Sequence, residues 1–324
     1  MSVSSSIVFR IAFGKSYENE GSETSRFHGL LDEAQAISQC FFLSDYIPFM
    51  GWIDKLTGLV ARVDRIFKVL DEFFEEVLME HLNPNNRKRE EEDKDIVDVL
   101  LELKKKGRLS IDLTNDHIKA VIMNLVLAAT GTSATTAVWV MTGLMKNPRV
   151  MKKAQEEVRN LYDNKEFIDE DDIQKLVYLK AVIKETLRFY APAPMVPRET
   201  NQGFVLNGYK IEPKTLVYVN VWAIHRDPEI WNDPEEFYPE RFLNNNINFK
   251  GQDFELIPFG AGRRICPGMP LGIATVEIII ANLLNSFDWE TPKGMTIEDI
   301  DTEGLPGLTS HKKNHLCLVA KNHM

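Results

Sequence analysis

Residues 257–268 read IPFGAGRRICPG, a lone cysteine, Cys266, in a loop of glycines and arginines just ahead of an apolar run, MPLGIATVEIII, that begins at Met269. Gly260, Gly262 and Gly268 let a backbone approach a flat ligand and take conformations closed to residues with a Cβ. A helix beginning near Met269 would point its positive end at the sulfur, and loop N–H groups could stabilise a thiolate there. Arg264 suits a carboxylate partner. Most free cysteines are simply buried and inert, so the reading rests on the whole pattern rather than on Cys266 alone.

Upstream, FYPERF spans Phe237 to Phe242 and ETLR spans Glu185 to Arg188. An acid and a base three residues apart share one helix face and can pair, although at a surface such a pair contributes little. From Ala120 to Met145 no charged residue occurs, a run longer than the ~20 residues that cross a bilayer core. Asn124, Thr130, Thr132, Ser133, Thr135 and Thr136 put hydrogen-bonding groups through its middle, which suits a helix buried in protein or lining a cavity. Leu113, Thr114 and Asn115 open that helix, and Asn147-Pro148 ends it.

Elsewhere the apolar spacing predicts helices over Phe27 to Ile37, Val60 to Leu82, Val150 to Leu161 and Leu176 to Tyr190. Ser44 to Gly58 reads as an apolar connecting loop and Asn83 to Asp95 as a solvated linker. The last of those helices stops at the proline-rich APAPMVP. Asn207-Gly208 predicts a hairpin within Phe204 to Ile211, and Thr215 to Val221 alternates as a strand. The fold class is therefore mainly α with small β-sheets. The chain has 324 residues, 44% hydrophobic and 27% charged, enough for a sizeable core. A net charge of -10 argues against nucleic-acid binding. Cys40, Cys266 and Cys317 have no CxxC spacing, which excludes a zinc site and a disulfide framework and predicts a reducing compartment. His225, in WAIHRDP, reads as a hydrogen-bonded structural residue.

Phe259, Gly262, Arg264, Cys266 and Gly268 all fall on the pattern FxxGxRxCxG, and in this the chain resembles the cytochrome P450 family, most of all its large plant group acting on specialised metabolites. The resemblance implies Cys266 as the thiolate ligand of a haem iron, within a cofactor-binding set of Phe259, Gly262, Arg264 and Gly268. It implies a buried network of Glu185, Arg188 and Arg241 that braces the haem pocket, and Arg198 as a second basic contact to a haem propionate. AATGTSATT, from Ala128 to Thr136, resembles the family's oxygen-binding motif. Thr132 aligns with its catalytic threonine, and Ala128 leaves space above the iron. The family usually has an acid immediately before that threonine; this chain has Gly131, which puts proton delivery in doubt. Ala193, Met195, Val196 and Leu308, with Pro194, Gly307 and Thr309 beside them, match segments that line substrate pockets.

The fold so implied is one haem-thiolate domain over residues 1–324, a cytochrome P450 fold lacking its N-terminal portion. The segments expected ahead of it are an anchor helix, a proline-rich hinge, most of the main sheet and a helix with haem-contacting Trp and Arg. No signal-peptide pattern opens the sequence. The implied cofactor is haem b, iron protoporphyrin IX. The implied activity inserts one oxygen atom from dioxygen into a small hydrophobic substrate, with electrons from an NADPH-dependent reductase. The implied location is the cytosolic face of the endoplasmic reticulum membrane, or a soluble state without the anchor. The alternatives are a haem-thiolate isomerase or dehydratase, which the absent acid allows, and a truncated non-catalytic fragment.

Overall fold

The computed structural model describes residues 2–15, 29–31, 33–37, 40–83, 94–107, 110–161 and 165–323. The chain divides into two compact units, Met1–Gly131 and Thr132–Met324. In the first, α1 (Ser2–Phe13) buries Val8, Phe9, Ala12 and Phe13. Short helices α2 (Leu43–Tyr46) and α3 (Gly51–Leu56) lead into the long α4 (Leu59–Leu82). Ile66, Leu70, Phe74, Val77 and Leu78 recur every three or four residues along α4 and so line one buried stripe. They form one core with α1, with Val97 and Leu101 of α5 (Ile96–Lys106), and with Ile118, Ile122 and Val126 at the start of α6 (Asn115–Lys146). α5 is delimited by local chemistry. The Asp95 carboxylate accepts the Asp98 N–H at 3.0 Å at its N-cap, three lysines complement the dipole in its last turn, and Gly107 turns left-handed after it.

One sequence expectation changes in this unit. Ser44 to Gly58 is not a loop but α2, a 3-10 turn at Pro48–Met50, and α3. Buried Asp54 is the cause, because its carboxylate accepts the N–H groups of Leu43 at 3.0 Å and Ser44 at 2.9 Å and so caps the first turn of α2. Those backbone donors, Ser44 foremost, hold its carboxyl below the usual range. Of the helix expected at Phe27 to Ile37, residues 29–31 and 33–37 are helical and Phe27, His28 and Asp32 lie outside the described residues. Most of the linker expected at Asn83 to Asp95 also lies outside them.

In the second unit α6 continues through Lys146 and is followed at once by α7 (Pro148–Leu161), α8 (Glu170–Ile173) and α9 (Val177–Phe189). Pro148 occupies the first turn of α7, where a missing N–H costs nothing. Leu144, Val150, Ala154, Val158, Leu179, Val182 and Ile183 pack with Ile280, Ala281 and Leu284 of α11 (Met269–Ser286). α6 and α11 are long and apolar enough to cross a bilayer, a test that core helices also pass, and in this unit both contribute to the core.

Strand β1 (Met195–Glu199) runs antiparallel to β4 (Leu216–Asn220), Met195 opposite Asn220 and Glu199 opposite Leu216. β1 lies partly in the run read from sequence as a proline-rich stop. Pro197 is tolerated because the sheet has two strands, leaving each an open edge. The hairpin β2 (Phe204–Leu206) and β3 (Tyr209–Ile211) closes through Asn207 at φ 49° and Gly208 at φ 85°. β4 leads into the single turn α10 (Val221–Ile224), and β5 (Phe287–Glu290) pairs with β6 (Val319–Asn322) after α11.

Candidate functional site

The loop around Cys266 is folded back on itself by its own backbone. Cys266 N–H donates to the Phe259 carbonyl at 2.9 Å, Gly260 N–H to Ile257 at 2.9 Å and Ile265 N–H to Gly262 at 3.2 Å. Gly260 and Gly262 take φ values of 74° and 70°, which side chains with a Cβ rarely adopt. The Phe259 ring anchors the loop, packing against the core and edge-on to Phe249 with centroids 5.5 Å apart. Cys266 is exposed and has no disulfide partner. It lies two residues before Gly268, the N-cap of α11, and a Cβ on Gly268 would stand 3.9 Å from its sulfur. Arg198 reaches the loop from β1, where one Nη donates to the Arg264 carbonyl at 3.2 Å, and Arg264 itself is exposed. A free thiol framed by glycines ahead of a helix, with two arginines at hand, is a donor set that fits an iron in a flat anionic macrocycle.

Behind the loop, α9 contributes Glu185 and Arg188, both with fully buried side chains. Two parallel hydrogen bonds of 2.8 Å join them. Glu185 also accepts from Arg241 Nε at 3.2 Å and from the Tyr238 N–H at 2.8 Å. The remaining guanidinium donors go to carbonyls: Arg188 to His225, Pro234 and Glu236, and Arg241 to Asn232, Asp233 and Glu236. Such a cluster is costly to desolvate, and complete pairing is what makes it tolerable. Glu240, in the same PERF segment, accepts from Lys153 at 2.7 Å, from Arg149 and from Tyr178. Burial would raise its pKa, but these donors, Arg149 foremost, pull it to about 2.

Thr132 and Ala128 lie one turn apart on α6 and both are exposed. Ala128 falls in the first unit and Thr132 opens the second. The neighbour of Thr132, Ser133, meets α11, since a Cβ on Gly272 would stand 3.8 Å from its hydroxyl. Further along α6, Trp139 Nε1 donates to the Ser310 carbonyl at 2.8 Å, and the Thr135 hydroxyl lies 2.6 Å from His311 Nδ1. Ser310 N–H donates in turn to Pro192 at 2.7 Å, and Trp222 N–H to Pro194 at 3.1 Å. The segments carrying Ala193, Met195, Val196 and Leu308 are thereby tied together beside α6. Met195 and Leu308 are exposed, and Ala193 and Val196 are half-buried.

His225 does more than its sequence position suggests. It is fully buried, its carbonyl accepts from Arg188 at 2.8 Å, and its Nε2 accepts the Ile257 N–H at 3.0 Å. It therefore links the Glu185–Arg188 pair to the first residue of the Cys266 loop. Burial, reinforced by the nearby Arg188 charge, lowers its pKa to about 4, so the ring is neutral. The sequence reading also passed over Glu240, which sits inside the motif already singled out, and His311, for which no local pattern existed.

A family model described as Cytochrome P450 matches residues 2–319. The 5-OH-xanthotoxin synthase of Pastinaca sativa is 51% identical over 329 residues, covering 99% of this chain and 64% of that protein. The 6,7,8-trihydroxycoumarin synthase of the same plant is 50% identical over 325 residues, covering 98% of this chain and 63% of that protein. Among solved structures, a zebrafish cytochrome P450 determined with abiraterone aligns at a TM-score of 0.80 and 24% identity, covering 98% of this chain and 70% of that one. The chain spans a little under two thirds of the length of the curated relatives it matches.

Proposed function

The chain belongs to the cytochrome P450 family, and from that premise we propose that it serves a haem-dependent monooxygenation in which Cys266 is the iron ligand. Family membership implies a haem, and the proposed form is haem b. Bound at Cys266, it would supply the activation of dioxygen. The protein's own residues do the rest. Gly260, Gly262 and Gly268 give the backbone room beside the macrocycle, Arg198 and Arg264 would bind its carboxylates, and the positive end of α11 favours a thiolate over a thiol. The network of Glu185, Arg188 and Arg241 holds the loop in place. The Thr132 hydroxyl, on the exposed side of α6, would hold a water and relay a proton once the cofactor and oxygen are bound. We read residues 1–324 as one haem-thiolate domain, since a single family model runs across both units.

Electrons come from an NADPH-dependent reductase, for which exposed Arg263 offers a basic contact near Cys266. By resemblance to the plant group the enzyme works at the cytosolic face of the endoplasmic reticulum. The substrate is a small, flat, hydrophobic aromatic. This is supported by the apolar or small character of Ala193, Met195, Val196 and Leu308, and by two relatives named for hydroxylated products, 5-OH-xanthotoxin and 6,7,8-trihydroxycoumarin. The observation that carries the reading is the exposed, unpaired Cys266 in a complete loop motif, tied through His225 to the Glu185–Arg188 pair. The test supplies the haem-loaded chain with a plant reductase, NADPH and dihydroxycoumarins. Hydroxylated product is expected only when NADPH, oxygen and reductase are all present. Conversion of substrate without NADPH would instead support an isomerase or dehydratase, the reading that Gly131 keeps open.

A further inference from the structure

Gly131 is buried in α6 and is not among the left-handed glycines, so no turn explains it. A glycine within a helix weakens that helix, and the reason for this one is space. A Cβ at position 131 would stand 2.8 Å from Gln35 Nε2, 2.9 Å from its Oε1 and 3.2 Å from its Cδ. The same Nε2 donates to the Leu127 carbonyl at 2.9 Å, the oxygen that α-helical geometry also offers to the Gly131 N–H. The carboxamide thus lies across the helix turn that ends immediately before Thr132. Nearby polar contacts hold this turn as well: the Ser4 hydroxyl donates to the Thr130 carbonyl and the Thr130 hydroxyl to Val126, both at 2.9 Å.

We propose that Gln35 and Gly131 are an interlocked pair in which Gln35 is a positioning residue, its carboxamide filling the space of a side chain at 131 and fixing the turn from which Thr132 projects. The proposal rests on the reading of Thr132 given above. It changes the meaning of the departure at Gly131. An uncharged amide, brought from residues 33–37, stands where the Cβ of an acid would be, so the site is built around its glycine rather than merely deprived of a carboxylate. Any side chain restored at 131 requires the Gln35 carboxamide to shift and give up its place against Leu127. Gly131→Asp is therefore a packing change before it is a change in proton delivery.

Two measurements decide it. The first is a cycle of melting temperatures for the purified chain and its Gly131→Ala, Gln35→Ala and doubly substituted forms. In the parent, Gly131→Ala gains helix propensity but must displace the flexible Gln35 carboxamide and its bond to Leu127, so the two effects offset and Tm should stay within about 1 °C or fall. Where Gln35→Ala has removed the carboxamide, the same substitution should instead raise Tm by about 2 °C. The same change in Tm on Gly131→Ala in both backgrounds would overturn the interlock. The second is hydrogen peroxide released per NADPH by the haem-loaded chain with reductase. Gln35→Met keeps most of the side-chain volume without the donor to Leu127. It should hold Tm near the parent value yet raise peroxide about twofold or more, together with Gln35→Ala. Parental peroxide in Gln35→Met overturns the positioning role. Unchanged peroxide in Thr132→Ala overturns the reading of Thr132 and the positioning role with it, while the Tm cycle still decides the interlock separately.

Discussion

His225 shows how one buried side chain can connect two motifs that the sequence separates. Its Nε2 accepts from Ile257 and its carbonyl from Arg188, so the ring must stay unprotonated at Nε2. His225→Leu leaves the Ile257 N–H buried without an acceptor, a loss of about 1–3 kcal/mol. His225→Gln can still present an acceptor. Hydrogen exchange at the Ile257 amide should speed up in the Leu variant and stay near the parent rate in the Gln variant. The pH dependence has a definite sign. The pKa falls from 6.5 in the unfolded chain to about 4 in the folded one, so this contribution is complete above pH 6.5 and is lost as pH falls toward 4. It amounts to roughly 3 kcal/mol. Urea unfolding across that window should show a steeper acid limb in the parent than in His225→Gln. The loop motif around Cys266 was legible because every residue that marks it is local. His225 was not, because its partners lie 32 and 37 residues away and no spacing rule reaches them.

At the scale of elements, α9 is held by the charges it buries. Removing one partner from the Glu185–Arg188–Arg241 cluster strands the others, with an expected loss of about 3–5 kcal/mol. Arg188→Ala should therefore unfold, or fail to retain haem, under conditions where Arg149→Ala, at an exposed arginine, shows little change in chemical denaturation. α4 and α5 are joined by a different pair. His81, in the last turn of α4, donates to the Val77 carbonyl and meets the Asp95 carboxylate that caps α5, each at 2.8 Å. Burial opposes its charge, but Asp95 and Val77 raise its pKa above 6.5. This contribution is therefore complete below pH 6.5 and is lost as pH rises through the raised value. Replacing His81 by Leu should flatten the neutral-to-alkaline slope of Tm. The long helices were legible from periodicity. Pro48 and Gly51 in residues 44–58, and Pro197 in β1, were read as breaks, whereas the Asp54 carboxylate, within the first stretch, and pairing with β4 turn them into short helices and a strand.

Across the whole molecule, the sequence specified the family more sharply than the shape. A complete FxxGxRxCxG loop, the ETLR and PERF segments and the α6 motif lie far apart along the chain. The family model spanning residues 2–319 and the 0.80 TM-score agree with what they implied about the fold. The division at Gly131 into two compact units was not legible, because α6 runs through it with unbroken helical pattern. We propose Cys266, and neither Cys40 nor Cys317, as the thiolate ligand of a haem. The most direct test is the absorbance spectrum of the reduced, carbon-monoxide-treated protein, taken for the parent, Cys266→Ser, and a variant lacking both other cysteines. The red-shifted Soret band of a thiolate-ligated haem is expected in the parent and in the variant that keeps only Cys266, and its loss in Cys266→Ser. A red-shifted band that survives in Cys266→Ser would contradict that assignment.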